Sequence, residues 1–189
     1  GFTGRYRGKP VSIQSTGIGV SSFLIYAHEL LDFHGVKTLI RTGTCGGLSA
    51  EVPLRGLVVS QSVRAENADS GQVFGLYAAA GPDPALLARA LQRAETLGIE
   101  HRAGLTICSD IFYHPKGRAR YAEAMALGAL AVDMETSALY RISAHFGARA
   151  LSLLNVVDHV TNGEQTDYSE RQELFTDMTR LALEVAAES

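Results

Sequence analysis

Ala148 to Val157 narrows the possible folds more than any other segment, because it is apolar apart from Arg149, Ser152 and Asn155. A strand apolar on both faces must be covered on both, as happens inside a helix-flanked sheet. Shorter strand patterns recur at Gly1 to Gly8, Val11 to Ser15, Lys37 to Arg41, Leu57 to Val63, His101 to Cys108 and Ala129 to Met134. Helical periodicity falls between them. Ser21 to Phe33 places Leu24, Ala27, Leu31 and His34 at helical spacing and closes at Gly35; Pro84 to Leu97 ends at Gly98. Arg118 to Met125, Thr136 to Phe146 and Asp167 to Ala187 read as helices as well. Gly43 to Gly47 reads as a Gly-rich turn, and Gly71 to Pro84 and Ser109 to Gly117 as loops. Alternating strands and helices predict an α/β chain with a mainly parallel or mixed sheet, in one domain over 1–189.

Bulk properties narrow the function. A formal charge of −3 argues against a nucleic-acid partner. No apolar run reaches membrane-spanning length and no signal segment opens the chain. Cys45 and Cys108 are far apart and read as two reduced thiols of a cytoplasmic protein, a disulfide being the alternative.

Ligands of open α/β sheets bind beyond the carboxyl ends of strands. Three expected strand ends carry unusual residues: Arg41-Thr42-Gly43-Thr44-Cys45-Gly46, Asp133-Met134-Glu135, and Asp158-His159. They are expected to meet on one rim. Each also fits a structural role. Arg41 could pair with a surface acid, although its small and apolar neighbours make an unpaired guanidinium expensive there. The glycines could simply make a tight connection, Glu135 could favour a helix start, and Asp158 could cap a turn. On the last helix, Asp167 and Glu170 have capping-box spacing, and Arg171 shares the inward face of Leu174, where it needs an acidic partner. The six histidines show no metal-binding spacing, and no nucleophile elbow, P-loop lysine or complete dinucleotide fingerprint occurs.

Taken together, Gly1-Phe2-Thr3-Gly4, Ser15 to Gly19, Arg41 to Gly47, Ser109 to Tyr113, Val132 to Glu135, Val157-Asp158-His159, Glu164-Gln165-Thr166 and Glu170-Arg171-Gln172 occur in an order and spacing that resembles the bacterial hexameric purine nucleoside phosphorylases. These are relatives of the uridine phosphorylases. The likeness runs nearly end to end and is weakest from Arg64 to Pro84. It implies a three-layer phosphorylase-like fold, a central mixed sheet flanked by helices. It also implies reversible phosphorolysis of purine (deoxy)nucleosides to base and (deoxy)ribose 1-phosphate. Inorganic phosphate is then a co-substrate, with no cofactor and no metal, and the assembly is a dimer-based homohexamer.

The resemblance also implies roles. Arg41 and Thr44 hold phosphate through paired guanidinium donors and a hydroxyl. Glu135 accepts from the ribose hydroxyls, with Met134 and Ile18 against the sugar. Cys45, Gly46, Phe112, Val132, Asp133 and Val157 border the base. Asp158 protonates purine N7 as the bond to the sugar breaks, and Arg171 assists it. Because an ordinary aspartate is ionised at neutral pH, the acid needs dry surroundings and help. Uridine phosphorylases lack an acid at the Asp158 position and read their base with a Gln and Arg set, where this chain has His114-Pro115-Lys116-Gly117-Arg118 without the Gln. The related nucleosidases use water and lack the arginine before the Gly-rich stretch. Purine and phosphorolysis are therefore expected over those two alternatives.

The chain departs from the family pattern in small ways: Thr44 stands for a Ser, Asp133 for a Glu, Ile18 for a Met and Val157 for a Ser. A larger difference lies upstream. Family chains carry several tens of residues before the position of Gly1, among them the family's first strand and a Gly-Asp-Pro-x-Arg phosphate loop. Those residues also supply a histidine and an arginine reaching into the neighbouring subunit's site. Two readings follow: an N-terminally incomplete record of such an enzyme, or a paralogue that binds nucleosides without turning them over.

Overall fold

The computed structural model describes residues 1–66, 80–167, 169 and 176–189. The chain opens with a hairpin, β1 (Phe2–Tyr6) antiparallel to β2 (Lys9–Ile13). Its turn uses left-handed Arg7 and Gly8, and Tyr6 and Arg7 fasten it to the buried carboxylate of Glu184 at 2.6 and 2.7 Å. The helix α1 (Val20–His28) follows, then a single π turn (Glu29–Phe33), and the strand β3 (Thr38–Gly47). Next come β4 (Leu57–Ala65), α2 (Pro84–Leu97) and β5 (His101–Cys108). A 3-10 turn (Gly117–Tyr121), α3 (Ala122–Ala126), β6 (Ala131–Asp133), α4 (Thr136–His145), β7 (Arg149–His159) and α5 (Thr176–Ala187) complete it.

The mixed sheet runs β3-β6-β5-β4-β7 and closes on itself, because β7 pairs parallel with β3 on one side and antiparallel with β4 on the other. Side-chain alternation along β7 explains the layers. Leu151 and Leu153 point into a cluster with Leu86, Ala90, Met178 and Leu181 of α2 and α5, whereas Ala150 joins α1 and α4 through Phe23, Ala27, Leu139 and Ile142. A third cluster, Cys45, Val58, Leu130, Leu154 and Val156, fills the space between strands. The sheet is thus flanked by two helix pairs. α2 follows its sequence signals closely, with Asp83 Oδ1 accepting from Leu86 N at 2.9 Å and Gly98 closing it at φ 67°.

Two expectations are corrected. Gly43 to Gly47 is strand, not turn: it ladders with β7 through a bulge between Cys45 and Gly46, and with β6 at Gly46 and Gly47. The partner edges on both sides override the weak strand propensity of glycine. In addition, Arg41 is not at a strand end, and β6 runs antiparallel to β3, carrying Asp133 and Glu135 back along it toward Arg41. Arg41 lies inside β3 opposite Ser152, six residues before the level of Asp158 on β7. Residues 67–79, which include most of the expected Gly71 to Pro84 loop, and 168 and 170–175 of the expected last helix lie outside the described residues.

Candidate active site

The site is strung along β3. At its inner end the Arg41 guanidinium forms an ion pair with Glu135 and lies 3.5 Å from Asp133 Oδ2, all three side chains being largely buried. Gly43 makes this possible: a Cβ there would sit 1.6 Å from Arg41 Nη1, so only glycine lets the guanidinium lie back along the strand. Burial disfavours the Arg41 cation, but the two carboxylates outweigh it and raise its pKa. Among the described residues its buried Nη1 has no hydrogen-bond acceptor.

Asp133 also organises the start of α4. Its Oδ2 accepts from Thr136 N at 2.9 Å, Thr136 Oγ1 at 2.6 Å and Glu135 N at 3.2 Å, satisfying helix N-terminal donors. Burial raises the Asp133 carboxyl, opposed by Arg41 and Thr136. Glu135, so placed, accepts from Gly19 N at 2.5 Å through its second oxygen. Gly17 and Gly19 adopt positive φ, 72° and 87°, which turns that amide inward at the N-terminus of α1. The Gly-Ile-Gly turn therefore serves a carboxylate. Ile18 between them is 81% exposed, and Met134 is half-buried.

At the outer end, Gly46 leaves room beside Asp158. A Cβ on Gly46 would meet Val160 Cγ2 at 3.0 Å, Asp158 Oδ2 at 3.2 Å and Val132 Cγ1 at 3.4 Å. Asp158 is held in register by its ladder with Gly46 and a bridge to Gln165. Cys45 lies between the two ends: burial raises its thiol far above the usual range, with Asp133, Arg41 and Asp158 all acting on it. Val157 is buried. Phe112 is 70% exposed, stacked edge-on against Tyr113 at 4.9 Å. Thr44 is exposed, three residues beyond Arg41 in β3. The structure thus joins Arg41, Asp133 and Glu135 in one cluster, and Gly46, Val132 and Asp158 in another.

Sequence reasoning overlooked Arg120. Its buried guanidinium reaches Ser109, Ile111, Tyr121 and Glu66 beside the Phe112 segment. The only signal for it was a third basic residue in a short turn, which by itself is indistinguishable from a solvated surface charge. Among the described residues no cluster of His, Cys, Asp and Glu is suited to a metal, and no helix is long and apolar enough to cross a membrane.

This arrangement, one buried arginine between two carboxylates at one end of a Gly-rich strand and a third carboxylate over a glycine at the other, is carried by a sequence that matches the Phosphorylase superfamily model over residues 1–189. The chain belongs to that superfamily. It is 42% identical over 189 residues to the DeoD-type purine nucleoside phosphorylase of Caldanaerobacter subterraneus subsp. tengcongensis, covering 98% of this chain and 80% of the relative. Identity to the Myxococcus xanthus DeoD-type purine nucleoside phosphorylase is 43% over 187 residues (98% and 78%), and to that of Geobacillus kaustophilus 41% over 191 residues (98% and 78%). In this phosphorylase chain the Gly-rich stretch, both acidic motifs and the aromatic loop fall within the aligned span.

Proposed function

We propose that this chain catalyses the reversible phosphorolysis of purine (deoxy)nucleosides, releasing the base and forming (deoxy)ribose 1-phosphate. One observation carries the reading: Arg41 Nη1 is buried beside Gly43 without an acceptor while the same guanidinium pairs with Glu135. An unsatisfied buried donor is costly, and an anion arriving at it would remove that cost. Phosphate at Arg41, joined by Thr44, then stands next to Glu135, whose oxygens take the sugar hydroxyls. Met134 and Ile18 flank the sugar. Further along β3, the base lies over Cys45 and Gly46, bordered by Val132, Val157, Phe112 and the backbone of Asp133.

The chemistry follows from this order along the strand. Positive charge grows on the sugar as the glycosidic bond breaks, and the phosphate stabilises it electrostatically. The leaving purine becomes basic and takes a proton from Asp158 at N7, with Arg171 assisting. No cofactor is required, phosphate being a co-substrate. The protein works as a dimer-based hexamer in the cytoplasm, a reading supported by two buried, unpaired cysteines.

The test is hypoxanthine release from inosine with and without phosphate. Phosphate-dependent release, lost by more than about a hundredfold in Asp158→Asn, is expected. Release without phosphate would make the chain a hydrolase; saturable inosine binding with no release would make it a nucleoside-binding protein.

A further inference from the structure

We infer that Arg120 is a positioning residue for base binding: it fixes the loop that presents Phe112. The inference rests on the proposed site and adds a residue outside the motifs that suggested it.

Arg120 sits in the 3-10 turn Gly117–Tyr121 with its side chain 6% exposed. Nη1 donates to Ile111 O at 2.7 Å, and Nη2 to Ser109 Oγ and the Tyr121 hydroxyl at 2.5 Å each. Glu66 Oε2 lies 3.1 Å away, and the guanidinium stacks on the Tyr121 ring at 4.4 Å. Ser109 and Glu66 directly follow β5 and β4, which run parallel, so one side chain ties two neighbouring strand ends together. Ser109 N also donates to Asp133 O at 2.9 Å, which extends the tie to β6. Tyr121 is anchored in turn among Leu48, Ile107 and Ala129, with Val132 and Val160 beside it.

Phe112 and Tyr113 are 70% and 89% exposed, so core burial does not place them. Exposed rings on a free loop lose conformational entropy when they close on a ligand, and a loop already held in place loses less. The guanidinium fork grips Ser109 and Ile111, two of the three residues before Phe112, and so sets where that ring stands. A lysine has the charge but not the planar set of donors, and cannot hold these partners together.

The experiment compares the wild-type chain, Arg120→Gln, Arg120→Lys, Phe112→Ala and the Arg120→Gln/Phe112→Ala pair. Hypoxanthine affinity is read by calorimetry, and KM for inosine and for phosphate by turnover. Arg120→Gln is expected to weaken hypoxanthine binding and raise the inosine KM by about tenfold, with the phosphate KM within about twofold. Arg120→Lys is expected to recover only part of the loss. On a Phe112→Ala background the Arg120→Gln effect on affinity should largely vanish, because the two act through one contact. Unchanged hypoxanthine affinity in Arg120→Gln would overturn the inference. So would equal rises in both KM values with a lowered melting temperature, or full additivity with Phe112→Ala. Calorimetry needs no turnover, so a chain that binds hypoxanthine but does not phosphorolyse inosine would sink the catalytic reading alone and still decide the role of Arg120.

Discussion

At the scale of single residues, Gly43 is the position where the least chemistry carries the most consequence. Arg41 pairs with Glu135 and Asp133, so a methyl group on residue 43 must push its guanidinium away from those partners. Gly43→Ala is expected to fold and to raise the phosphate KM by at least about tenfold, read by initial rates at saturating inosine. The buried thiols make a second prediction. Burial pushes Cys108 up to about 12 from an ordinary 9.0, and Cys45 in the same direction. An acid whose folded pKa is raised stabilises the fold below its unfolded pKa and loses that contribution as pH rises toward the folded value. Between about pH 9 and 12 the Cys108 thiol should therefore lower stability by about 1.4 kcal/mol per pH unit. Urea denaturation from pH 7 to 10 should show this fall, and Cys108→Ala should flatten it; an unchanged slope would contradict the burial argument. The residue types at Arg41, Glu135 and Asp158 were legible in the sequence. Their partners were not, because a guanidinium's partners depend on which way each neighbouring strand runs.

At the scale of elements, local signals worked where one element satisfied its own backbone. α2 begins at the Asp83 cap with Pro84 in its first turn and ends at left-handed Gly98, as its sequence indicates. Asp83→Ala is expected to cost about 1 kcal/mol in the urea midpoint with no change in inosine KM. β5 also matches its expected bounds, His101–Cys108, although its backbone bonds go to β4 and β6. β3 shows the opposite case. Four of the five residues from Gly43 to Gly47 are glycine or hydroxyl-bearing, a turn-like composition, yet the segment is strand because β7 and β6 supply ladder partners. The start of α4 is another product of context: its N-terminal donors are met by Asp133, three residues before Thr136, so Asp133→Ala should remove a helix cap and a partner of Arg41 together. A loss of about 3 kcal/mol is expected by urea denaturation, with Asp133→Asn intermediate because the amide oxygen can still accept.

At the scale of the whole molecule, the site depends on closure of the sheet. β7 brings Asp158 to Gly46 only because it runs parallel to β3, and β6 brings Glu135 to Arg41 only because it runs antiparallel. A ligand that joins these elements should stabilise all of them. Phosphate at about a hundred times its Kd should add about 2.7 kcal/mol, seen as a rise in Tm that is absent in Arg41→Met. Exposed Ile25 and Phe33, at 61% and 70%, leave apolar area on the α1 side that a hexamer would have use for; sedimentation should give one species of hexamer mass. A monomer at micromolar concentration would remove the assembly reading.

The sequence by itself determined the family, the class of fold, most element positions and the identities of the charged residues, because these rest on periodicity, capping and motif spacing, all of which are local. Only the tertiary structure decided that Arg41 is folded over Gly43 onto two carboxylates, that β6 returns antiparallel to bring those carboxylates to it, and that Arg120 holds the Ser109 to Ile111 segment. Those facts depend on strand direction and on which buried charges find each other, and both are settled when the chain closes the sheet.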